Sequence, residues 1–409
     1  MVQPHFQEDS AFYMARQPIY DRNMQLVAYE LLYRRGNAVT PPEFSSDDEV
    51  AALANVLIEV GLDRLVGKTR AFVNVPQSLL SSEALRLLPP KRVTLEILEN
   101  TVWTEEVEAQ IKDLKALGYQ VALDDYVFES RHQQFLKLVD LVKVDMLGVP
   151  PGLDIQSSIL KLRRPGQQFL AEKVETHAQF QKCLAMGFNL FQGYFFAKPK
   201  TIRGTGVRTN QSMSISLLAK IQDPNTTMHE LENLIVSNVA LGHKVLRLVN
   251  CVANGLTKRV DSIQQALMFL GTAKIRTMAS LAVITSIPGK PSELYRLAMI
   301  RAKFCEAAAR YARFNDPEKH FTVGLFSVLD ALTDTPMNDI LGELPLAPDV
   351  IDALRGDGEP NLCKDSLQYV LQVEHGAWEQ TNVAFRDVPA NAYPEAVEWA
   401  REQERSLAS

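Results

Sequence analysis

Acidic and amide residues close several short apolar runs in the first half of the chain. Asn74 closes AFVN, Glu96 closes VTLE, and Asp124 and Asp125 close VALDD. Carboxylate and amide oxygens, with little imidazole or sulfur beside them, suit hard divalent cations such as Mg²⁺ or Mn²⁺. Two such cations can clamp a phosphodiester, activate a bound water and stabilise the leaving oxygen. The pattern therefore indicates phosphoryl chemistry.

Five more polar residues stand in similar positions. Lys143 lies within LVKVD, Glu172 follows FLA, Gln192 follows FNLF, and Glu30 lies in VAYELLYR with Arg34 four residues on. Taken singly, such residues are more often helix caps or solvated loop residues. Carboxylates that converge on one place repel one another unless cations or protons intervene, so the set as a whole favours a metal site. A lysine beside them could orient the water or balance charge.

Alternating elements must position these residues. Helical patterns, such as those at 47–66 and 103–118, separate eight strand-like runs, which are 12–20, 25–33, 70–75, 92–97, 120–125, 141–145, 168–174 and 188–196. Such alternation predicts parallel strands with right-handed crossovers. Eight strands fit a closed (β/α) barrel of the TIM type, and an open doubly wound sheet is the alternative. The active site of a barrel lies at the carboxyl ends of its strands, where most of these polar residues stand.

The second half of the chain has a different pattern. We predict a barrel domain over 1–200, a polar Gly/Thr-rich linker over 201–212, and an all-α domain over 213–409, where strand-like runs largely vanish. The stripe ALMFLG (266–271) is read as core in preference to a docking face. Four isolated cysteines predict buried free thiols, because no CxxC or Cys/His cluster suggests a zinc site or disulfides.

Charge and hydropathy exclude some function classes. The formal net charge is −6, with no long block of one sign, so binding of a nucleic-acid polymer by bulk charge is not expected. The first residues lack the pattern of a secretory signal, and no stretch approaches the length of a membrane span. We therefore expect a cytoplasmic protein that does not enter a membrane.

Ordered motifs in the first half resemble the EAL domain of bacterial cyclic-di-GMP phosphodiesterases, from about residue 12 to residue 200. Eight landmarks carry the resemblance, and they are RQPIYD (16–21), YELLYR (29–34), FVNV (72–75), LEILE (95–99), ALDDY (122–126), VKVD (142–145), AEKVET (171–176) and FQGYFFAKP (191–199). The resemblance implies a metal-dependent barrel enzyme that hydrolyses cyclic-di-GMP to linear pGpG with two Mg²⁺ or Mn²⁺ ions.

The same resemblance implies a role for each matching residue. The implied metal ligands are Glu30, Asn74, Glu96, Asp124, Asp125 and Glu172. Lys143 would hold the catalytic water, Glu175 would brace the neighbouring loop, Gln192 would lie in the site, and Glu172 would count among these catalytic residues as well as among the metal ligands. Gln17 and Arg34 match positions that contact the dinucleotide.

Two positions depart from the family pattern. The signature Glu-Ala-Leu reads Glu30-Leu31-Leu32, with a larger residue beside a metal ligand. The family's glycine-containing loop after the two aspartates is replaced by residues 126–130, YVFES. The resemblance implies a loop that turns tightly at glycines and couples metal binding to dimerisation. Because the glycines are absent here, this coupling does not follow from the sequence.

The second half resembles the HDOD domain, a relative of HD phosphohydrolases without the metal-binding dyad. The resemblance rests on 221–250 and 262–271, and where an HD enzyme has His-Asp this chain has Leu329-Asp330. Asp330 is expected to be a cap or a surface residue. A helical module of this kind suits contact with a protein partner or with a second copy of the chain, as in a homodimer.

Two main hypotheses follow for a bacterial signalling protein of motility or biofilm control. In the first, the barrel is a cyclic-di-GMP phosphodiesterase and the HDOD domain provides output or regulation. In the second, the barrel is inactive and the chain is an effector or scaffold that binds cyclic-di-GMP or protein partners without turnover. A barrel phosphodiesterase for another nucleotide is a third.

Overall fold

The chain forms two compact units in a computed structural model, which describes residues 12–35, 61–129, 132–193, 208–256, 258–377 and 382–408. One unit comprises Met1–Phe196 with Glu374–Glu379, and the other comprises Ala197–Val373 with Gln380–Ser409. Most of the predicted linker at 201–212 lies outside the described residues. The exact limits of the domains therefore stay a prediction.

The first unit is a closed barrel of eight strands that pair in chain order. The strands are β1 (Phe12–Asp21), β2 (Leu26–Arg35), β3 (Arg70–Val75), β4 (Val93–Ile97), β5 (Gln120–Tyr126), β6 (Leu141–Asp145), β7 (Gln168–Glu172) and β8 (Leu190–Gln192). Each lies within or overlaps one of the eight predicted runs. The predicted barrel is confirmed, and the open sheet is excluded.

Strand β1 departs from the prediction of parallel strands, because it runs antiparallel to both β2 and β8. The cause is the short connection Arg22–Gln25, which can close a hairpin but cannot form a crossover. The Asp21 carboxylate holds this turn by accepting the backbone N–H of Asn23 at 2.8 Å and of Gln25 at 2.9 Å. The other neighbouring pairs, from β2–β3 to β7–β8, are parallel.

Short helices connect the parallel strands. They are α1 (Leu62–Val66), α2 (Glu83–Arg86), α3 (Glu105–Ala116), α4 (Ile155–Leu162) and α5 (His177–Ala185). The segment predicted as a helix at 103–118 forms α3, which begins where the Thr104 side chain accepts the N–H of Val107 at 3.1 Å. Of the segment predicted at 47–66, only the end lies within the described residues, as α1.

An apolar layer fills the middle of the barrel and joins strands that are far apart in sequence. Its buried members are Ile19, Ala28, Phe72, Ala122, Leu141 and Leu170, with the partly buried Leu190 packed against them. The interior is therefore a packed core below the mouth, as expected for a barrel of this size.

The second unit is helical throughout its described residues, which confirms the predicted all-α domain. Its helices are α6 (Arg208–Gln222), α7 (Met228–Val236), α8 (Val239–Val249), α9 (Ile263–Ile284), α10 (Ser292–Tyr311), α11 (Pro317–Phe326), α12 (Leu329–Thr333), α13 (Met337–Glu343), α14 (Pro348–Arg355), α15 (Leu362–Glu374) and α16 (Ala392–Ala408). Asp330 lies partly buried in the first turn of α12, where its carboxylate accepts the N–H of Ala331 at 2.8 Å. It is therefore neither the N-cap of α12, which is Val328, nor an exposed surface residue.

Helix α9 corrects two expectations. Its backbone breaks at Gly271, and the stripe before the break splits: Leu267 is buried, whereas Met268 and Phe269 are about two-thirds exposed at 68% and 67%. The stripe is therefore not wholly core. By length and composition this one helix of the described residues could cross a membrane, but Ile275 and most of the residues after it are buried as in a core helix.

The four cysteines, Cys183, Cys251, Cys305 and Cys363, are free and buried. Burial leaves them in apolar surroundings, which is the ordinary environment of structural thiols. The prediction of buried free thiols is confirmed.

Candidate active site at the mouth of the barrel

The pleat of the strands brings eight polar side chains into one layer. Side chains of a strand alternate between its two faces, so a residue two positions from an interior residue also points inward. On the parallel strands the step from the apolar layer toward the carboxyl end leads, for example, from Ala28 to Glu30 and from Phe72 to Asn74. On the reversed β1 it leads backwards, from Ile19 to Gln17. The complete layer is Gln17, Glu30, Asn74, Glu96, Asp124, Lys143, Glu172 and Gln192.

Lys143 lies at the centre of this layer, and its side chain is 0% exposed. Its ammonium nitrogen lies 2.7 Å from carboxylate oxygens of both Glu96 and Asp124, 3.0 Å from Glu172 and 3.2 Å from Glu30. One buried positive charge therefore faces four carboxyl groups. If all four are ionised, the cluster holds a net excess of negative charge.

The pKa values of the buried groups reflect this excess. Burial raises the pKa of Glu96 well above its ordinary range, and the charges of Glu30 and Asp124 raise it further, against the lowering effect of Lys143. Burial likewise raises the pKa of Glu172. For Lys143, burial lowers the pKa, but the four carboxylates outweigh it and hold the pKa well above its usual value. The lysine stays charged, and either a proton or a bound cation would relieve the repulsion among the carboxyl groups.

Several buried oxygens of the layer have no hydrogen-bond partner among the described residues. They are Asn74 Oδ1, Glu96 Oε2, Glu172 Oε2 and Gln192 Oε1. Carboxylate oxygens of Glu30, Glu96 and Asp124 also lie within 4.8 Å of one another. Buried polar atoms are normally satisfied, so these unpaired oxygens around an acidic cluster are suited to bind a cation. The donor set, all oxygen, fits Mg²⁺ or Mn²⁺.

Amide side chains hold Glu30 in place. Gln192 donates from Nε2 to Glu30 Oε2 at 2.6 Å and to Gln17 Oε1 at 2.9 Å, and Asn74 donates to Glu30 Oε1 at 3.4 Å. Charge-assisted bonds of this kind fix the direction of a carboxylate. Gln17, predicted as a ligand contact, therefore lies directly beside the predicted metal ligands.

A second acidic group lies at the ends of β4 and β5. Glu99, Asp124 and Asp125 each place a carboxylate oxygen within 4.8 Å of the others. Asp125 is half-exposed, and its oxygen lies 3.0 Å from the ammonium of Lys173, which also contacts Asp145 at 2.9 Å. The structure thus brings Asp125 to the mouth, but beside a lysine.

Glu99, Asp145 and Lys173 were missed from the sequence. Asp145 ends β6, so the rule that selected the other strand-ending carboxylates would also have found it. Glu99 follows β4 by two residues, within the motif LEILE. Lys173 carries no signal of its own, because a lysine after a strand is ordinarily a solvated surface residue.

The two departures from the family pattern have clear local structures. Leu31 is fully buried on the opposite face of β2 from Glu30, so its size does not crowd the mouth. In the loop after Asp125, Phe128 takes the left-handed conformation with φ 65° without a glycine. The rings of Tyr126 and Phe128 pack 5.0 Å apart, and His132 lies edge-on to Tyr126. In this chain, aromatic packing is found at the loop position where the family pattern has glycines. Ser130, the last residue of this loop, lies outside the described residues.

Two predicted site residues are not placed in the layer. Glu175 is exposed at the start of α5, where its backbone N–H donates to the Gln179 side chain at 2.9 Å. Arg34 lies on β2, but its side chain is outside what the structure describes. The roles of both residues stay predictions.

Family models match both halves of the chain. The EAL domain matches residues 2–199, and the HDOD domain matches residues 209–335. Both matches agree in order with the barrel and the helical unit.

Two relatives extend over most of the chain. A protein of Vibrio cholerae serotype O1, named cyclic di-GMP phosphodiesterase CdgJ, is 35% identical over 357 residues, which is 85% of this chain and 82% of that protein. The YuxH protein of Bacillus subtilis is 31% identical over 401 residues, which is 95% of this chain and 97% of that protein. Each match is longer than either unit alone, so both relatives align with residues of both units.

Solved structures resemble the chain only in part. The match to a standalone EAL protein from Vibrio cholerae with cyclic di-GMP bound covers 48% of this chain and 93% of that chain, with 22% identity and a TM-score of 0.37. The match to BlrP1 of Klebsiella pneumoniae, in a complex with manganese and cyclic di-GMP, covers 47% of this chain and 57% of that chain, with 21% identity and a TM-score of 0.38.

Proposed function

The chain belongs to the family of proteins that join an EAL domain to an HDOD domain, and we propose that its barrel hydrolyses cyclic di-GMP to the linear dinucleotide pGpG. The observation that carries this proposal is the complete polar layer at the mouth, with four carboxyl groups around Lys143. The name of the relative from Vibrio cholerae, a cyclic di-GMP phosphodiesterase, supports the choice of substrate.

The proposal includes Mg²⁺ or Mn²⁺, with two ions in the active state. Their ligands are proposed to be Glu30, Asn74, Glu96, Asp124, Asp125 and Glu172. When bound, these ions would neutralise phosphate charge, make a water more acidic and stabilise the leaving oxygen. The unpaired buried oxygens support this donor set.

The chain's own side chains orient the reactants. The ammonium of Lys143 is held in one place by its four neighbours, so its charge offsets negative charge on the phosphate, and an N–H released by a carboxylate that binds a cation would donate to the attacking water. The water oxygen then bonds to phosphorus, the bond from phosphorus to one ribose oxygen breaks, and that ribose oxygen takes up a proton equivalent to the one that the water gives up. Gln17 and Arg34 are proposed to contact the dinucleotide, Gln192 to orient Glu30, and Glu175 to brace the loop.

The helical unit is proposed to carry output or regulation. The exposed Met268 and Phe269 are candidate contacts for a protein partner or for a second copy of the chain. We also propose a cytoplasmic location, where a soluble dinucleotide would be available.

Turnover by the full-length chain tests the proposal. Purified protein with Mn²⁺ or Mg²⁺ should convert cyclic di-GMP to pGpG, measured by chromatography, and Glu30→Gln should lose at least about a hundredfold of the rate. Glu83→Gln, a change at an exposed carboxylate of α2, is the matched control and should retain full rate. Equal rates for wild type and Glu30→Gln, or no product from either, would overturn the proposal.

A binding role without turnover is the second candidate. It is favoured by the loop at 126–130, which lacks glycines, and by the ion pair of Asp125 with Lys173. Calorimetry that detects tight binding of cyclic di-GMP by a protein without turnover would favour this role. A panel of other cyclic nucleotides would identify a different substrate.

A further inference from the structure

Lys173 has a backbone conformation that side chains rarely adopt. It directly follows Glu172 at the end of β7, and its φ is 55°, in the left-handed region. Glycine reaches this region freely, whereas other residues do so at a cost in free energy. Asp125, at the end of β5, also has a positive φ of 41°. The two left-handed residues therefore lie on either side of β6, at the same end of the barrel.

The side chain of Lys173 spans these strand ends. Its ammonium lies 3.0 Å from Asp125 Oδ1 and 2.9 Å from Asp145 Oδ2. Asp145 is held in place from the other side, because its Oδ1 accepts the N–H of Leu147 at 2.8 Å. A Cβ at Gly148 would lie 3.0 Å from the Asp145 carboxylate and 2.8 Å from Val127, so the turn leaves no room for a larger residue. The carboxylate that anchors Lys173 is thus rigidly placed.

The ion pairs do not account for the strained backbone. The side chains of Lys173 and Asp125 are 45% and 38% exposed, and ion pairs that water reaches contribute little to stability. A glycine would take the backbone conformation more easily. What the lysine adds at this position is a positive charge against Asp125.

The charge of Lys173 lies beside Asp125, which is a proposed ligand of the second divalent cation. Asp125, Asp124 and Glu99 form an acidic group beside the deeper group of Glu30, Glu96 and Asp124. The deeper group shares the ammonium of Lys143 with Glu172 and has unpaired oxygens nearby, whereas Asp125 shares the ammonium of Lys173 with one other carboxylate, Asp145. The two groups therefore differ in how much positive charge they still lack.

We propose that Lys173 is a built-in counter-ion that competes with a divalent cation for Asp125. This inference rests on the proposed function, because it concerns the second cation of that site. The mouth then binds one divalent cation at the deeper group and a second one only more weakly. Lys173 is a positioning residue in this account, since it acts through Asp125 and not on the substrate.

Binding of Mn²⁺ to the full-length chain without nucleotide tests this inference. Calorimetry should resolve a tighter and a weaker site in the wild type. Lys173→Met, which removes the charge and retains the length, should tighten the weaker site by about five- to tenfold. Lys173→Gly, which also suits the backbone, should do the same, and Lys173→Arg should bind as the wild type does.

The outcomes separate this inference from the proposed function. Equal affinities of the weaker site in wild type and Lys173→Met, or two equally tight sites in the wild type, would overturn the role of Lys173 alone. Failure of every variant to bind Mn²⁺ would overturn the proposed metal site as well. Circular dichroism of each variant confirms that it is folded, and Lys173→Arg controls for disturbance of the loop.

Discussion

Two buried charge clusters, one in each unit, are opposite in composition. In the barrel, the ammonium of Lys143 faces four carboxyl groups. In the helical unit, the carboxylate of Glu306 on α10 faces three cations: Lys303 and Arg310 at 2.8 Å and Lys274 at 3.8 Å. Both central side chains are buried, at 0% and 1% exposed.

The clusters differ in whether solvent reaches and stabilises their surplus charge. The surplus in the helical unit belongs to cations whose side chains are partly exposed, so solvent stabilises them. These cations hold the pKa of Glu306 below its ordinary value although burial alone would raise it. The surplus in the barrel belongs to carboxyl groups that are themselves buried, and the pKa of Glu96 is raised. Of these two clusters, the one in the barrel has its surplus charge on buried groups, as the proposed cation site requires.

Of the substitutions that test this contrast, Lys143→Met should have the largest effect on stability. Lys143→Met leaves four buried carboxyl groups without a cation, so it should destabilise the metal-free protein by about 3 to 5 kcal/mol. Urea unfolding measures the loss. Lys115→Met is the matched control, because Lys115 pairs with Asp140 at 2.7 Å but both are about one-third exposed, and its cost should stay below about 1 kcal/mol. Similar losses for the two variants would contradict the central role of Lys143.

The same substitution in the two clusters should have opposite signs. Glu306→Gln removes the charge that three cations require and should lower local stability around α10 by about 2 kcal/mol. Glu96→Gln relieves repulsion in the barrel and should raise the stability of the metal-free protein by about 1 kcal/mol. Hydrogen–deuterium exchange of peptides from α10 and β4 reports each effect locally. A loss of stability in both variants would break the contrast.

Lowering the pH should give the smallest of the predicted effects, and this effect should be confined to the region around Glu306. The folded-state pKa of Glu306 is lowered, so its stabilising contribution is present above the unfolded value, about 4.3 for glutamate, and is lost as pH falls through the folded pKa. Protection of α10 from exchange should therefore weaken below about pH 4.3. Glu306→Gln should lack this component, and an identical acid response in wild type and variant would contradict it.

The sequence predicted the site better than it predicted its electrostatic setting. Seven of the eight members of the polar layer were identified from strand-like runs and their ends, because these are local properties, whereas Gln17 was identified only through the family resemblance. The reversal of β1 was missed because the runs were read as alternating with helices, although only four residues separate β1 from β2. Lys173 was missed because its pairing with Asp125 and Asp145 depends on two left-handed backbones that residue types do not indicate.

The helical unit shows the same limit. The pattern predicted a bundle, which the structure confirms, but the stripe ALMFLG was assigned to the core. Ile263, Ala266 and Leu267 are buried at helical spacing, so Met268 and Phe269, which precede the break at Gly271, lie on the opposite face and are exposed. An apolar run longer than one helical face cannot all be buried against one neighbour.

A crystal of the full-length chain grown with Mn²⁺ tests the central claim most directly. Anomalous scattering locates manganese without assumptions about its ligands. The account predicts a peak at the mouth of the barrel, bound by oxygens of Glu30, Asn74, Glu96 and Asp124, and no peak at the cluster of Glu306. A crystal grown at a saturating concentration of Mn²⁺ that shows no manganese peak at the mouth would contradict the account.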